Sequence, residues 1–359
     1  MSYGLIVVQN RPQLIYLYAY CQEFGSGKSF DIVCVGPVQI PNSLIRLCSQ
    51  ANINLVNLET AQKKQYKKLI VSSFGHFAAH KVLINSISYV ELSYFSDGLG
   101  NSLFDASYGS LKVSEIIGFG SYYKSTNFLR ICQSAHDASI SVVSLMEIKK
   151  AWIEIANLHL PDSKGLDFQN DDNLIVLRYW GNELVYPFKS GRSLREFLSS
   201  QQIFSNSTQR SIIRRDPRDL TLNFEELFQQ LSRENNFLVD YDSVFEEITD
   251  FPELSSPEAL LFRSSVGPKN IFALDSMLNL AAWFNFPECK ISWIESSQIN
   301  DLFQSDLESE FIMENITNYK QVIQILERTN SSPTISVDDS ARYAVMNKLL
   351  FNHFEQISF

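Results

Sequence analysis

Short apolar runs alternate with amphipathic stretches along this chain, and the alternation breaks off once, across residues 160–173, before it starts afresh. Strands separated by helices of about ten residues predict a parallel sheet covered on both faces, because each connecting helix must lie against one face of the sheet. In the first half, residues 5–8, 30–35, 68–72 and 89–94 read as strands, 113–119 as a shorter one, and 11–23, 42–50 and 75–85 as helices. Residues 139–158 read as helical or mixed. The break, Leu160-Pro-Asp-Ser-Lys-Gly-Leu-Asp-Phe-Gln-Asn-Asp-Asp-Asn173, gathers Pro, Gly, Asn and Asp where apolar residues thin out, which is the composition of a linker. Beyond it Leu174-Ile-Val-Leu-Arg-Tyr-Trp is apolar enough for a central strand, followed by strands at 211–214, 271–274 and 290–295. Helices are expected at 193–199, 224–234, 259–262, 276–283, 319–328 and 340–354, the third of these opened by Ser256-Pro257-Glu258, an N-cap with Pro at the first helical position.

A chain of 359 residues exceeds one ordinary core, and 45% hydrophobic residues supply material for two. The expected organisation is an N-terminal Rossmann-like domain over 1–160, a linker over 161–172, a C-terminal Rossmann-like domain over 173–337, and a C-terminal helix within 338–359 that packs back across the linker. Doubly wound sheets bind ligands beyond the carboxyl ends of their strands, so the expected architecture has two parallel sheets facing a central cleft. The formal charge of −10, from 30 Lys+Arg against 40 Asp+Glu, disfavours a nucleic-acid groove or a broad anionic-lipid patch, while leaving room for a local basic pocket. Five cysteines, odd in number and embedded in apolar runs, read as buried thiols of a reducing compartment, with no disulfide and no zinc site expected. The N-terminus has no basic region and no stretch approaches the roughly 20 apolar residues of a spanning helix, so a soluble, cytoplasmic protein is expected.

Three segments carry the chemistry. Ser96-Asp97-Gly98 places a carboxylate where a strand runs out into a Gly-permitted turn, a usual position for a reactive side chain on an α/β sheet. Arg214-Arg215-Asp216-Pro217-Arg218 puts three guanidinium groups around a strand end, and Asp275-Ser276 puts a hydroxyl at a helix start; both suit a phosphate.

In this layout and in these segments the chain resembles the bacterial sialyltransferases and polysialyltransferases of GT-B fold. That family carries an acidic-acidic-Gly motif in its N-terminal domain, a His-Pro motif after a strand in its C-terminal domain, and a Ser-rich turn beyond it. Here Ser96-Asp97-Gly98 matches the first with Ser at the first acidic position, and Arg214-Arg215-Asp216-Pro217-Arg218 matches the second with Asp216 where the family has His. Leu274-Asp275-Ser276-Met277 matches the third and keeps one of its two hydroxyl residues, while Glu258 lies where the family carries a Glu that contacts the nucleotide. The resemblance implies an inverting, metal-independent glycosyltransferase, with no cofactor, that moves a nonulosonic acid from a CMP-sugar donor to a glycan acceptor. Catalytic roles fall to Asp97, the general base, and to Asp216. Nucleotide and phosphate binding fall to Arg214, Arg215, Arg218, Glu258, Asp275 and Ser276, and the acceptor side to Gly98 and Asn101. A lipid-linked acceptor would bring peripheral membrane association.

The chemistry of the residues agrees with that reading. Inverting transfer needs a base within hydrogen-bond reach of the acceptor hydroxyl and positive charge at the departing phosphate. A carboxylate at Asp216 repels phosphate unless it is protonated or turned to orient a guanidinium, and the other accommodation is a different donor. Two alternatives therefore stand: a GT-B transferase using another nucleotide sugar, and a non-catalytic glycan- or nucleotide-binding protein on the same scaffold. Other constellations are weaker. His76 and His80 share a helical face, but Phe77 stands where the zinc-protease Glu belongs. His136-Asp137 are sequence neighbours that do not face each other. Gly118-Phe119-Gly120 reads as a loop suited to lining an acceptor site, and Phe24-Gly25-Ser26-Gly27-Lys28 follows a helix and lacks the leading Gly of a phosphate loop.

Overall fold

The computed structural model describes residues 2–35, 39–71, 78–96, 112–119, 138–159, 168–177, 191, 193–200, 209–215, 223–234, 237–245, 252–273, 278–286 and 288–292. The chain divides into two compact units, with the division between Asp162 and Ser163. Every described residue through His159 belongs to the first and every one from Phe168 onward to the second.

In the first unit the described strands are β1 Gly4–Val8, β2 Phe30–Cys34, β3 Ile53–Leu55, β4 Gln65–Val71, β5 Ser88–Ser96, β6 Glu115–Phe119 and β7 Ser139–Val143. They form one parallel sheet in the order β3-β2-β1-β4-β5-β6-β7, the doubly wound order of a Rossmann sheet with its switch point between β1 and β4. The helices are α1 Arg11–Phe24, α2 Asn42–Gln50, α3 Leu58–Gln62, α4 Ala78–Ser86 and α5 Leu145–His159. α1 starts where the sequence says it should: the Asn10 side chain accepts the Gln13 amide at 2.9 Å, and Pro12 fits the first turn. It stops at Gly25, where a Cβ would lie 2.3 Å from the Cys21 carbonyl oxygen, so only glycine closes the helix there.

Residues 13–21 of α1 are all buried, because the helix is covered by the sheet on one side and by α5 on the other. Polar atoms brought into that layer find partners. Tyr18 donates to Glu154 at 2.8 Å, and the Ser144 amide at the start of α5 donates to Glu23 at 2.8 Å. The tyrosine hydroxyl of Tyr20 reaches Glu115, the first residue of β6.

The second unit repeats the plan with β8 Asn173–Val176, β9 Ser211–Arg214, β10 Leu238–Asp240, β11 Asn270–Ala273 and β12 Lys290–Ser292. All described pairs are parallel, and the order β10-β9-β8-β11-β12 places the switch point between β8 and β11. Its helices are α6 Leu194–Ser199, α7 Asn223–Glu234, α8 Tyr241–Val244, α9 Pro257–Arg263 and α10 Leu278–Asn285. α6 opens on a capping box between Ser193 and Glu196, and α9 on Ser256, whose hydroxyl accepts the Ala259 amide at 3.2 Å. The amino edge of this sheet is pinned by Asp172, which is 1% exposed and takes both Arg210 Nε and Nη2 at 2.7 Å.

These are two Rossmann-like units, each built on a parallel sheet, as expected of an α/β chain. Corrections are local. Residues 139–158 hold a strand, β7, and then α5, with the junction at Ser144. Gly118 and Phe119 are not loop but the end of β6, with Gly118 paired to Ser96 of β5. β3, α3, β10 and α8 were not anticipated. The expected helices at 319–328 and 340–354 and the C-terminal segment 338–359 lie outside the described residues, as do His76, His136 and Asp137. The Gly25–Lys28 turn is structural: Lys28 donates to the Phe24 carbonyl at 2.9 Å and stands 4.7 Å from the Tyr3 ring centroid.

Candidate functional site

A parallel sheet collects the carboxyl ends of its strands on one edge, with the helix starts that follow them, and this edge is where such folds bind ligands. In the second unit that edge carries Arg214 and Arg215 at the end of β9, Asp240 and Tyr241 at the end of β10, Ala273 at the end of β11, and Asn279 in the first turn of α10. Arg214 is in register with Val176 of β8, so it stands one strand from the switch point.

The two arginines do not act as one anchor. Side chains alternate across a strand, and connections are right-handed, so α7 lies on one face of the sheet and the β10-to-β11 crossover, with α9, lies on the other. The Arg214 guanidinium carbon lies 4.8 Å from the centroid of the Tyr241 ring. Arg215 turns the opposite way and lies 5.8 Å from the ring of Phe224 at the start of α7. Asp240, paired to Ile213, shares the Arg215 face. Burial pushes the Asp240 carboxyl up from its ordinary range, and the Arg215 charge works against that rise, so Arg215 has an electrostatic partner.

Arg214 differs. Half-buried against the tyrosine, it makes no hydrogen bond or ion pair to a described residue. Burial pushes the Tyr241 hydroxyl well above its usual range, while the charges of Arg214 and Arg263 draw it back, so two guanidinium groups bear on one phenol. That hydroxyl donates to the Ser255 carbonyl at 2.6 Å, one residue before the cap of α9. Glu258 lies in the first turn of α9 and is half-buried.

At the end of β11, Asn279 is fully buried and its Nδ2 donates to the Ala273 carbonyl at 3.0 Å. The bond ties the start of α10 to the strand across residues 274–277. Asn279 Oδ1 has no partner among the described residues.

Of the residues expected from sequence, Arg214, Arg215 and Glu258 are described; Asp97, Gly98, Asn101, Asp216, Arg218, Asp275 and Ser276 lie outside the described residues. In the sequence Asp97 comes directly after Ser96, the last residue of β5. Tyr241 and Ser255 were missed. The available signal was a short apolar run ending in Asp240-Tyr241 after a helix, which reads as a strand entering the edge beside β9.

Among the described residues no three His, Cys, Asp or Glu side chains are grouped to hold a metal ion. Cys21, Cys34, Cys48 and Cys289 are free thiols; burial pushes Cys34 up to about 11 and Cys48 and Cys289 up to about 12. No described helix is long and apolar enough to cross a membrane.

No protein-family model matches the sequence, and no curated protein matches it. Among solved structures the chain is similar to S. aureus MnaA with UDP, at 13% identity and a TM-score of 0.43 over 97% of this chain and 91% of that one. It is similar to the GT-B domain of a Photobacterium damselae sialyltransferase, at 9% identity and a TM-score of 0.41 over 90% and 97%. It is also similar to the E. coli heptosyltransferase WaaC with an ADP-2-deoxy-2-fluoro heptose, at 12% identity and a TM-score of 0.37 over 90% and 99%. Overlap at this level assigns no donor and no acceptor.

Proposed function

We propose that this chain is a GT-B glycosyltransferase that acts by inversion without a metal, taking a CMP-activated nonulosonic acid as donor and a glycan as acceptor. The observation that carries the reading is Arg214: a guanidinium at the carboxyl edge of a Rossmann-ordered sheet, backed by an aromatic ring and without an oxygen acceptor among the described residues. Such a group suits the phosphate of a departing nucleotide, whose charge grows as the glycosidic bond breaks.

In this reading Asp97, next in sequence after β5, takes the proton of the acceptor hydroxyl, and the acceptor oxygen then attacks the anomeric carbon as cytidine monophosphate leaves. Ser276 and Asp275, between β11 and α10 in the sequence, and Arg218 complete the phosphate side, and Glu258 contacts the nucleoside. Asp216 orients a guanidinium. Gly98 and Asn101 line the acceptor side, and a lipid-linked glycan acceptor would bring the protein to a membrane surface.

Calorimetric titration with CMP, UDP and GDP tests the donor, with CMP expected to bind the tightest. Binding of a diphosphate alone would sink the CMP assignment and favour the second reading, a transferase using another nucleotide sugar, which the substitution of Asp216 for His motivates. Asp97→Ala is expected to lower transfer by roughly 10² or more with CMP affinity kept. Equal transfer by both proteins ends the catalytic assignment and leaves a binding protein.

A further inference from the structure

β9 and β10 are paired so that Ile213 stands beside Asp240, the last residue of β10; one residue further along, Arg214 ends β9 and Tyr241 opens α8. That juxtaposition at the ends of neighbouring strands brings the guanidinium over the phenol ring, its carbon 4.8 Å from the centroid. The ring is itself immobilised. Tyr241 is 1% exposed, its hydroxyl is held by the Ser255 carbonyl, and Phe245 packs against it with centroids 4.7 Å apart. The ring face offers no oxygen acceptor, so the contact restrains the guanidinium while leaving its capacity for an oxyanion unspent. Arg215, one residue on, is exposed, faces α7 and shares its face with Asp240.

We propose that Tyr241 is the positioning residue for a phosphate held by Arg214, its ring bearing the guanidinium and its hydroxyl fixing that ring to the turn that starts the Glu258 helix. Arg214 rather than Arg215 is then the donor anchor. The proposal rests on the nucleotide-sugar reading above and deepens it by separating two arginines that the sequence leaves equivalent. It also links phosphate to nucleoside: the turn that fixes the Tyr241 ring leads through the Ser256 cap directly to Glu258.

The experiment is a calorimetric cycle on the full chain with CMP, UDP, GDP and inorganic pyrophosphate, using Arg214→Ala, Arg215→Ala, Tyr241→Leu, Tyr241→Phe and the pair Arg214→Ala/Tyr241→Leu. Arg214→Ala is expected to weaken binding at least about tenfold, and well beyond Arg215→Ala. Tyr241→Leu is expected to weaken it about fivefold in the wild-type background and to add nothing once Arg214 is gone, a non-additivity that a general loss of packing does not produce. Tyr241→Phe keeps the ring and is expected to bind within about threefold of wild type; it serves whether or not the leucine variant folds.

The positioning role is overturned if the two substitutions are additive, if Tyr241→Phe loses as much as Arg214→Ala, or if Arg215→Ala loses as much as Arg214→Ala. Arg214-dependent binding of a diphosphate or pyrophosphate without CMP binding overturns the donor assignment and leaves the positioning role standing. Binding of none of the four ligands to the wild-type protein overturns both.

Discussion

Lys68 and Glu115 make an ion pair of 2.6 Å inside the first unit, across the intervening strand β5, with side chains 9% and 10% exposed. The carboxylate is fully engaged: Ser93 and Tyr20 also donate to Oε2, at 3.1 and 3.3 Å, and Ser141 to Oε1 at 2.6 Å. Removing one partner from such a buried pair strands the other charge, whereas replacing both with apolar residues does not. Lys68→Met is therefore expected to lower stability by about 3 kcal/mol, and Lys68→Met/Glu115→Leu to recover a substantial part. Urea unfolding of the three proteins checks this, and a loss under about 1 kcal/mol for the single variant counts against it.

Two carboxylates in this unit respond to pH with opposite sign. Burial alone would raise the Glu115 carboxyl, but hydrogen bonds from Lys68 and Ser141, the Lys68 charge and Ser93 bring it below the usual glutamate range. A folded-state value below the unfolded one gives stability that is present above about pH 4 and is lost as pH falls through the folded value. For Glu23 burial wins over the Ser144 amide bond, and its carboxyl is raised. Its contribution is full below the unfolded value and is lost as pH rises through the raised one. Thermal unfolding of Glu23→Gln, which keeps an acceptor for Ser144, is expected to gain on wild type between about pH 4 and pH 7, while Glu115→Gln loses on it. Parallel curves for all three proteins refute both assignments.

Gly267 packs directly under Phe286: a Cβ there would lie 2.2 Å from the ring, and the ring is 5% exposed. Gly267→Ala forces the ring or the backbone to shift, at a cost of about 2 kcal/mol. A smaller side chain at the partner relieves the clash, so Phe286→Leu should cost less in the Gly267→Ala background than alone. Denaturant midpoints of the four proteins give the coupling, and additivity rejects the contact as the cause.

The elements legible in the sequence are those whose ends are marked by their own residues. α2 and β9 have the bounds expected of them, and α1 and α9 begin at Asn10 and Ser256, whose side chains cap them locally. What was missed is made by distant partners. β3 and β10 have three residues each and exist by pairing with β2 and β9. The junction between β7 and α5 lacks Gly or Pro; it is marked locally by the Ser144 hydroxyl, which accepts the Glu147 amide at 3.2 Å, and is fixed further by the Ser144 amide donating to Glu23, 121 residues away. The same reasoning covers the site. The basic run at β9 is plain in the sequence, and a period of two already sends Arg214 and Arg215 to opposite faces. That Arg214 lands on a tyrosine required knowing that β10 pairs with β9 and in which register.

Glu258 allows the last distinction. The start of α9 is held without its charge, because Ser256 caps the Ala259 amide and Pro257 fixes the first backbone angle. A carboxylate in that turn adds about 0.3–1 kcal/mol through the helix dipole, and salt screens that part. Glu258→Gln is thus expected to keep the start of the helix, and the unfolding temperature reads whatever else the carboxylate contributes to the fold. If the residue contacts the nucleoside, the same substitution weakens CMP by about tenfold, the amount associated with a charged hydrogen bond to a ligand. Calorimetry and thermal unfolding on one sample separate the two roles: a lowered unfolding temperature with unchanged CMP affinity makes Glu258 a dipole partner and removes it from the site.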